Sequence, residues 1–417
     1  MGLYLGIDFG TSGARSAVID ENGSISHFGR FPFDIRASGS CLHWRLALFE
    51  LLEQIPGELR RDIRSIAING TSSTVLLCDA TGEPVGAPLL YNDARGQEML
   101  TFLRDVAPAK HTVLSATSSL VKLLWMMQLP DVNKARYFLH QADWLGFLLH
   151  GQLGVSDYHN ALKLGYDVEV FKYPEWMDKL QLSIELPKVI TPGSSVGELR
   201  SDISARYGFA SDCVVCGGTT DSIAAFIASG AKSPGEAVTS LGSTLALKLL
   251  SRTRVEDARY GIYSHRLGDL WLTGGASNTG GAVLKEFFSN EELERLSGEI
   301  DGSRVSELDY YPLLQVGERF PINDASLLPR MEPRPGSSVE FLHGLLEGMA
   351  RIEARGYELL QELGADSLVR VFTAGGGARN DAWTMIRRRY LGVDVMGSVN
   401  TEAAFGSALL AMSNKET

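Results

Sequence analysis

The chain has 417 residues, of which 44% are hydrophobic and 21% charged, and its formal net charge at pH 7 is -11. This length predicts two domains rather than one core, and the acidic balance argues against a nucleic-acid partner, which would need a basic patch. No apolar run reaches the roughly 18 residues that span a bilayer, and MGLYLGIDFG lacks the basic start of a targeting peptide, so the sequence predicts a cytoplasmic protein without membrane association.

The first predicted element is a β-hairpin at residues 3–20, LYLGIDFGTSGARSAVID, in which a glycine-rich turn joins two apolar strands. It is followed by a helix near 42–54, strands at 65–69 and near 74–78, and helices through 97–150. A chain that mixes strand pairs with helices in this way predicts an α/β fold with a mixed sheet.

The turn of this hairpin has the composition of a phosphate site. Glycines let a phosphate approach the main chain, and the amides and hydroxyls of Gly10, Thr11, Ser12 and Gly13 can act as donors in one concavity. Asp8 is unusual in an apolar strand, and at the edge of such a pocket it would hold a hydrated Mg²⁺. The alternative is that Asp8 caps the turn by accepting a backbone N–H.

A second carboxylate lies in GGTTDSIAAFIASG at 217–230. Thr219 or Thr220 is predicted to cap a helix, which places Asp221 in the first turn, where the helix dipole favours its ionised form. Such a carboxylate is a candidate base for a substrate hydroxyl in phosphoryl transfer. The alternative is an acid that only caps its helix.

The second half of the chain repeats the plan of the first. VTSLGSTLALKLL at 238–250 echoes the opening hairpin, and FTAGGGARNDAWTMI echoes CGGTTDSIAAFIASGA as a strand-to-helix turn. The junction-like segment ASGAKSPGEA predicts domains at 1–228 and 229–401. The closing TEAAFGSALLAMS, at 401–413, predicts a helix, and residues 402–417 are expected to return to the first domain.

Two further clusters are interpreted as structural. Cys213 and Cys216 lie in the valine-rich run CVVC, which predicts a strand rather than a zinc site because no second ligand pair follows. The basic run at Arg387, Arg388 and Arg389 predicts a solvated helix face.

Together IDFGTSGARSAVID, GGTTDS, SLGST and AGGGARN resemble, in the right order, the motifs of the FGGY family of carbohydrate kinases. The resemblance implies two ribonuclease-H-like domains of the actin, hexokinase and Hsp70 type around a nucleotide cleft, and ATP and Mg²⁺ as cosubstrate and cofactor. Within the family the short chain is similar to a compact subgroup from photosynthetic organisms that comprises D-ribulose kinase and xylulose kinase-like proteins.

The resemblance also implies roles for individual residues. Asp8 is the acid linked to the metal and to substrate, Thr11 and its neighbours contact the transferred phosphate, and Asp221 is the catalytic base. The implied nucleotide contacts in the second domain are Gly242, Ser243, Thr244, Gly281, Lys285, Gly376, Gly377 and Asn380, of which Asn380 would bond the edge of the adenine ring.

The sugar contacts are less clear in the sequence. INGTSST at 68–74 lacks the Gln or His motif of many family members, and Ser72 is carried over as a hydroxyl contact. YNDAR at 91–95 has Tyr91 in place of the family's Trp, and Asp93 and Arg95 are interpreted as a structural ion pair rather than a sugar contact. The expected function is phosphorylation of a ketopentose, D-ribulose before D-xylulose, with an actin-like slow ATPase of binding function as a further alternative.

Overall fold

The computed structural model describes residues 2–33 and 39–416. The chain forms two compact units: unit 1 comprises Met1–Ala228 and Glu402–Thr417, and unit 2 comprises Ser229–Thr401. Each unit contains its own mixed β-sheet and hydrophobic core. The fold is therefore α/β, as the sequence predicts.

The strands are, in chain order, β1 (Leu3–Phe9), β2 (Gly13–Ile19), β3 (Ile25–Pro32), β4 (Ile63–Gly70), β5 (Val75–Cys78), β6 (Tyr137–His140), β7 (Val155–Asp157), β8 (Lys188–Ile190), β9 (Ser195–Glu198), β10 (Val214–Cys216), β11 (Thr219–Thr220), β12 (Glu236–Leu241), β13 (Leu245–Ser251), β14 (Tyr263–Leu267), β15 (Leu270–Ser277), β16 (Arg370–Ala374) and β17 (Asp394–Gly397). The central strands β1, β2 and β4 of unit 1 are almost entirely buried.

The helices are, in chain order, α1 (Cys41–Gln54), α2 (Gly57–Arg60), α3 (Met99–Val106), α4 (Ser119–Met126), α5 (Gln141–His150), α6 (Tyr158–Ala161), α7 (Ser201–Tyr207), α8 (Asp221–Ala228), α9 (Gly281–Phe287), α10 (Asn290–Gly298), α11 (Ser338–Glu362), α12 (Asp381–Leu391) and α13 (Ala403–Met412). No helix within the described ranges is long and apolar enough to cross a membrane.

The two units repeat one sheet topology. Unit 1 has the strand order β3-β2-β1-β4-β10-β9, and unit 2 has β14-β15-β13-β12-β16-β17. In each unit an antiparallel meander (β1 to β3, or β12, β13 and β15) is extended by two parallel strands (β4 and β10, or β16 and β17). The internal repeat predicted from the two hairpins is therefore confirmed.

The topology corrects one part of that prediction. The triple-glycine turn follows β16, whose counterpart in unit 1 is β4, whereas GGTTDS follows β10, whose counterpart is β17. The two turns look alike in sequence because any strand-to-helix turn favours small residues, but they occupy different positions of the repeat. The predicted helices through 97–150 are also interrupted by β6.

Helix α13 is held in unit 1 by very close backbone packing. A Cβ atom built on Gly6 of β1 would lie 2.0 Å from the carbonyl oxygen of Ala404, and one on Gly406 would lie 1.8 Å from that of Ala224 in α8. Real Cβ atoms do not approach other atoms this closely, so glycine is required at both positions. The small residues of α13 therefore fit the helix between β1 and α8.

The core of unit 2 contains a buried ion pair. Arg387 of α12 is fully buried, and its Nε and Nη2 atoms donate to both oxygens of Glu353 in α11 at 2.6 and 2.7 Å. Thr373 of β16 accepts from Arg387, and Thr239 of β12 donates to Glu353. The prediction that the three consecutive arginines form a solvated face is therefore wrong for Arg387.

Candidate active site

The turn between β1 and β2 presents an exposed tip of small residues. The Gly10 amide donates to the Gly13 carbonyl at 3.1 Å, and the side chains of Thr11 and Ser12 are exposed. Gly13 has φ of 154°, and a Cβ atom there would lie 2.6 Å from the carbonyl oxygen of Phe31 in β3. The third strand therefore requires glycine at this end of the turn and leaves the two hydroxyls free to face a ligand.

Asp8 lies one residue before the end of β1 and is 4% exposed. Its Oδ2 atom accepts from Nη1 of Arg15 at 3.4 Å, and its Oδ1 atom is buried without a hydrogen-bond partner among the described residues. In the described part of the chain Asp8 accepts no backbone N–H of the turn, so the turn-capping alternative does not hold. Burial and the nearby charge of Asp221 raise the pKa of Asp8 to about 7, while Arg15 opposes this shift.

Strand register brings Asp221 to the same edge of the sheet. Asp8 in β1 pairs with Asn69 in β4, and Asn69 pairs with Thr219 in β11, so these three residues form one row across three parallel strands. Asp221 follows two residues later as the first residue of α8. The two carboxylates that the sequence singles out are therefore near neighbours in unit 1.

The predicted threonine cap of α8 is wrong. The Thr219 hydroxyl is hydrogen-bonded to Nδ1 of His159 at 2.8 Å, and the Thr220 hydroxyl is buried without a partner among the described residues. The Asp221 carboxylate instead accepts the N–H of Ser222 at 2.7 Å. This contact ties the carboxylate to the first turn of α8.

Arg15 and Glu402 also belong to this edge, and neither is predicted from the sequence. Nε of Arg15 lies 3.4 Å from Glu402, which in turn lies 3.6 Å from Arg30. Arg15 stands opposite Asp8 in the antiparallel register of the hairpin, a position that can be counted along LYLGIDFGTSGARSAVID once its turn is located. Glu402 has no such signal because its contact spans almost the whole chain.

The expected sugar contact Ser72 lies at the same edge. Strand β4 ends at Gly70, which pairs with Thr220 next to Asp221, and Ser72 follows two residues later in a half-buried position. Asp93 is different, because both of its oxygens bind the Arg95 guanidinium at 2.6 to 3.1 Å. This bidentate geometry agrees with the interpretation of the two residues as a structural ion pair.

In unit 2 the β12-β13 turn is the counterpart of the β1-β2 turn in unit 1. Gly242, Ser243 and Thr244 are exposed at its tip. The amides of Gly281 and Ala282 at the start of α9 donate to the carbonyls of Gly242 and Ser243 at 2.8 and 3.1 Å. The structure therefore brings these two predicted segments together.

The triple-glycine turn packs on the base of the same hairpin. Gly375 has φ of 86°, and a Cβ atom there would lie 2.5 Å from the carbonyl oxygen of Leu241, while one on Gly377 would lie 2.8 Å from the Leu241 Cβ. A Cβ atom on Gly376 would meet nothing within 4 Å, so this residue faces open space. Three glycine segments thus converge around one turn in unit 2.

Of the remaining predicted nucleotide contacts, Lys285 is exposed to solvent, whereas the Asn380 side chain already makes hydrogen bonds within the protein. Lys285 is exposed on α9, one turn after Gly281. The Asn380 side chain caps α12 by accepting the Trp383 N–H at 2.9 Å and donates to Ser297 at 2.8 Å. Asn380 therefore has a structural role that the sequence analysis did not assign, and one amide hydrogen is left for a ligand.

The residues around Asp8 fit a metal ion whose ligands are mainly water and substrate phosphates, with one carboxylate from the protein. No cluster of three His, Cys, Asp or Glu side chains suited to a metal occurs in the described part of the chain. Mg²⁺ keeps several waters and often uses one or two carboxylates together with substrate phosphates. The unpartnered Oδ1 atom of Asp8, next to exposed hydroxyls and amides, suits that mode of binding.

The raised pKa of Asp8 predicts a stability effect in metal-free and nucleotide-free protein. Between about pH 4 and pH 7 the unfolded chain loses the Asp8 proton while the folded chain keeps it, so ionisation lowers the free energy of unfolding as pH rises. Asp8→Asn removes this cost, and we expect it to raise the free energy of unfolding by about 4 kcal/mol at pH 8.

Urea unfolding in the presence of EDTA at pH 5 and pH 8 measures this effect. The gain in the variant should be larger at pH 8, where the wild-type carboxylate is ionised. Asp20→Asn in the exposed β2-β3 turn is the control for loss of a carboxylate on the same hairpin. A gain that is equal at both pH values would contradict the burial of an ionisable Asp8.

Comparison with known proteins gives matches that span both units. Residues 3–228 match the model of the FGGY family of carbohydrate kinases, N-terminal domain. A xylulose kinase from Bacillus subtilis is 25% identical, across 99% of this chain and 88% of the relative, and one from Streptomyces rubiginosus is 27% identical, across 94% and 83%. The crystal structure of a xylulose kinase from Rhodospirillum rubrum has a TM-score of 0.83 at 20% identity, across 100% of this chain and 91% of that chain.

Proposed function

This chain belongs to the FGGY family of carbohydrate kinases, and we propose that it transfers the γ-phosphoryl group of ATP to a ketopentose, with D-xylulose as the first candidate and D-ribulose as the second. The observation that carries the proposal is the pair of carboxylates Asp8 and Asp221 at one edge of the unit 1 sheet. One lies beside a turn of amides and hydroxyls, and the other begins a helix. A kinase needs two groups with different tasks, one that holds the metal and one that acts as the base for the acceptor hydroxyl.

In this proposal Asp221 orients the sugar hydroxyl and accepts its proton as the phosphoryl group transfers. The amides of the Gly10–Gly13 turn and the hydroxyls of Thr11 and Ser12 bind the oxygens of the transferred group. Asp8 would hold Mg²⁺ through water, and the metal supplies neutralisation of phosphate charge. Ser72 would bind a second hydroxyl of the sugar from the same edge.

Unit 2 contains the other predicted nucleotide contacts. The exposed tip at Gly242, Ser243 and Thr244 supplies donors for the phosphates, and Lys285 adds a positive charge one helical turn away from Gly281. Gly376 and Gly377 would give the nucleoside a surface without side chains. The remaining amide hydrogen of Asn380 would donate to the edge of the adenine ring. The packing of Gly281 and Gly375 on the same hairpin supports a single nucleotide site.

The choice of sugar rests on the relatives rather than on geometry. The expectation of D-ribulose as substrate rests on similarity to a compact subgroup of the family. Relatives that match across nearly the full chain are instead named xylulose kinases. Both sugars are ketopentoses that differ at a single hydroxyl-bearing carbon. D-xylulose is therefore the better supported substrate.

The test is ADP release from Mg-ATP with D-xylulose, D-ribulose, L-ribulose, glycerol or no sugar. We expect D-xylulose to give the highest kcat/KM, because relatives that match nearly the whole chain are named xylulose kinases. A preference for D-ribulose would keep the kinase and reverse the choice of substrate. An equal rate in every reaction, including the one without sugar, would favour a slow ATPase and overturn the proposed kinase.

A further inference from the structure

Helix α4 carries a lysine that is completely buried. Lys122 is 0% exposed and lies between apolar residues of a helix whose other buried side chains include Leu120, Val121, Leu123 and Leu124. A charge in such a place is costly unless it is fully hydrogen-bonded. The residue therefore requires an explanation beyond packing, since a methionine would fill similar space without that cost.

Three backbone carbonyls surround the ammonium group. Nζ of Lys122 donates to the carbonyl oxygens of Ser73 at 2.7 Å, Leu90 at 2.6 Å and Tyr91 at 3.3 Å. A protonated amine has three N–H donors and a neutral one has two, so three acceptors match the charged form. Burial lowers the pKa of Lys122 to about 7, while the charge of Asp93 opposes that shift.

The carbonyls belong to two segments that are separate in sequence. One is the segment after β4 that holds Ser72, and the other runs into the Asp93 and Arg95 ion pair. Ser73 has φ of 62°, a left-handed conformation that is uncommon for a residue other than glycine. Strained residues of this kind persist where the surrounding structure fixes them, and they cluster at ligand sites.

The Ser73 strain is located next to the expected sugar contact. Ser72 precedes Ser73 directly, so the torsion angles of Ser73 set the direction in which the segment leaves the sheet edge. The Thr71 and Thr74 hydroxyls are 2.5 Å apart, and Gln141 accepts from the Thr71 amide at 3.0 Å, which holds the start of the segment. Lys122 holds its other side.

We propose that Lys122 is a positioning residue for sugar binding, which ties the Ser72–Ser73 segment to Leu90 and Tyr91 and so fixes the Ser72 hydroxyl toward the acceptor sugar. This inference rests on the proposed sugar kinase function. It assigns Lys122 no contact with ATP, with Mg²⁺ or with the transferred phosphate. Its loss should therefore change the affinity for sugar and leave the nucleotide reactions of the enzyme unchanged.

Lys122→Met tests the proposal in the full chain, with Lys134→Met as the matched control at an exposed lysine of unit 1. We expect the KM for the sugar to rise roughly tenfold to a hundredfold, the effect that misplacing a binding group by about 1 Å can have. The KM for Mg-ATP and ATP hydrolysis without sugar should stay within about twofold. An unchanged sugar KM, or an equal loss for both substrates, would overturn the positioning role.

Hydrogen exchange gives a readout that does not depend on turnover. In Lys122→Met the amides of Thr74 and Asp93, which donate to Thr71 and Leu90, should both exchange faster, while those of the β1-β2 hairpin should not change. If the wild-type protein shows no sugar-dependent ADP release, the proposed function fails, whereas coupled exchange at the two segments still supports the link through Lys122. Unchanged exchange at either segment would refute the link itself.

Lys122→Arg covers the case in which the methionine variant does not fold. A guanidinium keeps the buried positive charge but has a planar fork of donors that does not match three converging carbonyls. We expect a raised sugar KM at unchanged KM for Mg-ATP. A folded arginine variant with wild-type sugar KM would show that charge alone is required and would overturn the proposal.

Discussion

Replacing Asp221 with asparagine should lower kcat for sugar phosphorylation by about 10²-fold to 10⁴-fold, the contribution typical of a general base. Asparagine keeps the shape of the side chain and can still accept the Ser222 N–H, but it cannot take up the proton of the sugar hydroxyl. The affinity for Mg-ADP should change little, because the glycine turns expected to bind the nucleotide belong to unit 2. Steady-state ADP release and calorimetric titration with Mg-ADP measure the two quantities.

Asp212→Asn is the matched control, because Asp212 is an exposed acid of unit 1 whose contact is a 3.5 Å surface pair with Arg64. It should leave kcat unchanged. Asp221→Asn has a second expected effect: removing its charge should lower the pKa of Asp8, since that charge raises it in the wild-type protein. An Asp221→Asn enzyme that keeps more than about a tenth of wild-type kcat would remove Asp221 from the role of base.

Arg387→Met should destabilise unit 2 by about 3 to 5 kcal/mol, the usual effect of leaving one partner of a buried ion pair without its counter-charge. The variant leaves Glu353, which is 1% exposed, without its counter-charge. Among the described residues, Glu353 would then keep only its hydrogen bond from Thr239. Thr239 and Thr373, which contact this pair, lie on the strands that lead into the two glycine turns of unit 2. Weaker Mg-ADP binding should therefore accompany the lower stability.

The control is Arg355→Met, which breaks a pair with Glu362 on the exposed side of α11 and should cost about 0 to 1 kcal/mol. A double variant, Arg387→Met with Glu353→Leu, should recover part of the stability, because two apolar groups leave no buried charge. The midpoints of urea unfolding compare all three. If Arg387→Met were no less stable than Arg355→Met, the buried pair would have no structural importance.

The features that could be predicted are those with a local signal. The β1-β2 hairpin follows from alternating apolar residues around a glycine turn, and the Asp93–Arg95 pair lies within one short loop. The burial of Arg387 could not be predicted from its run of arginines, because its partner Glu353 lies on another helix, 34 residues earlier. Lys122 did have a signal, a single lysine in the apolar run SLVKLLWM, and only the structure shows which carbonyls bind it.

The predicted threonine cap shows that a local sequence signal can also be misleading. Thr219 and Thr220 stand where a helix cap is common, yet β11 pairs them with β4, and this pairing turns the Thr219 hydroxyl toward His159. Sheet pairing over long distances therefore overrides a local preference. The site residues taken from the family resemblance stay predictions, and the Asp221 variant tests one of them directly.

The glycine contacts of α13 have a consequence for synthesis of the protein. During translation the ribosome makes β1 and α8 first, then the whole of unit 2, and only then the helix that fills the space between Gly6 and Ala224. Domains usually fold in the order in which they are made, but unit 1 cannot reach its final packing until α13 has emerged. We expect the nascent first unit to expose an apolar groove while unit 2 is being made, and to be a target for chaperones during that time.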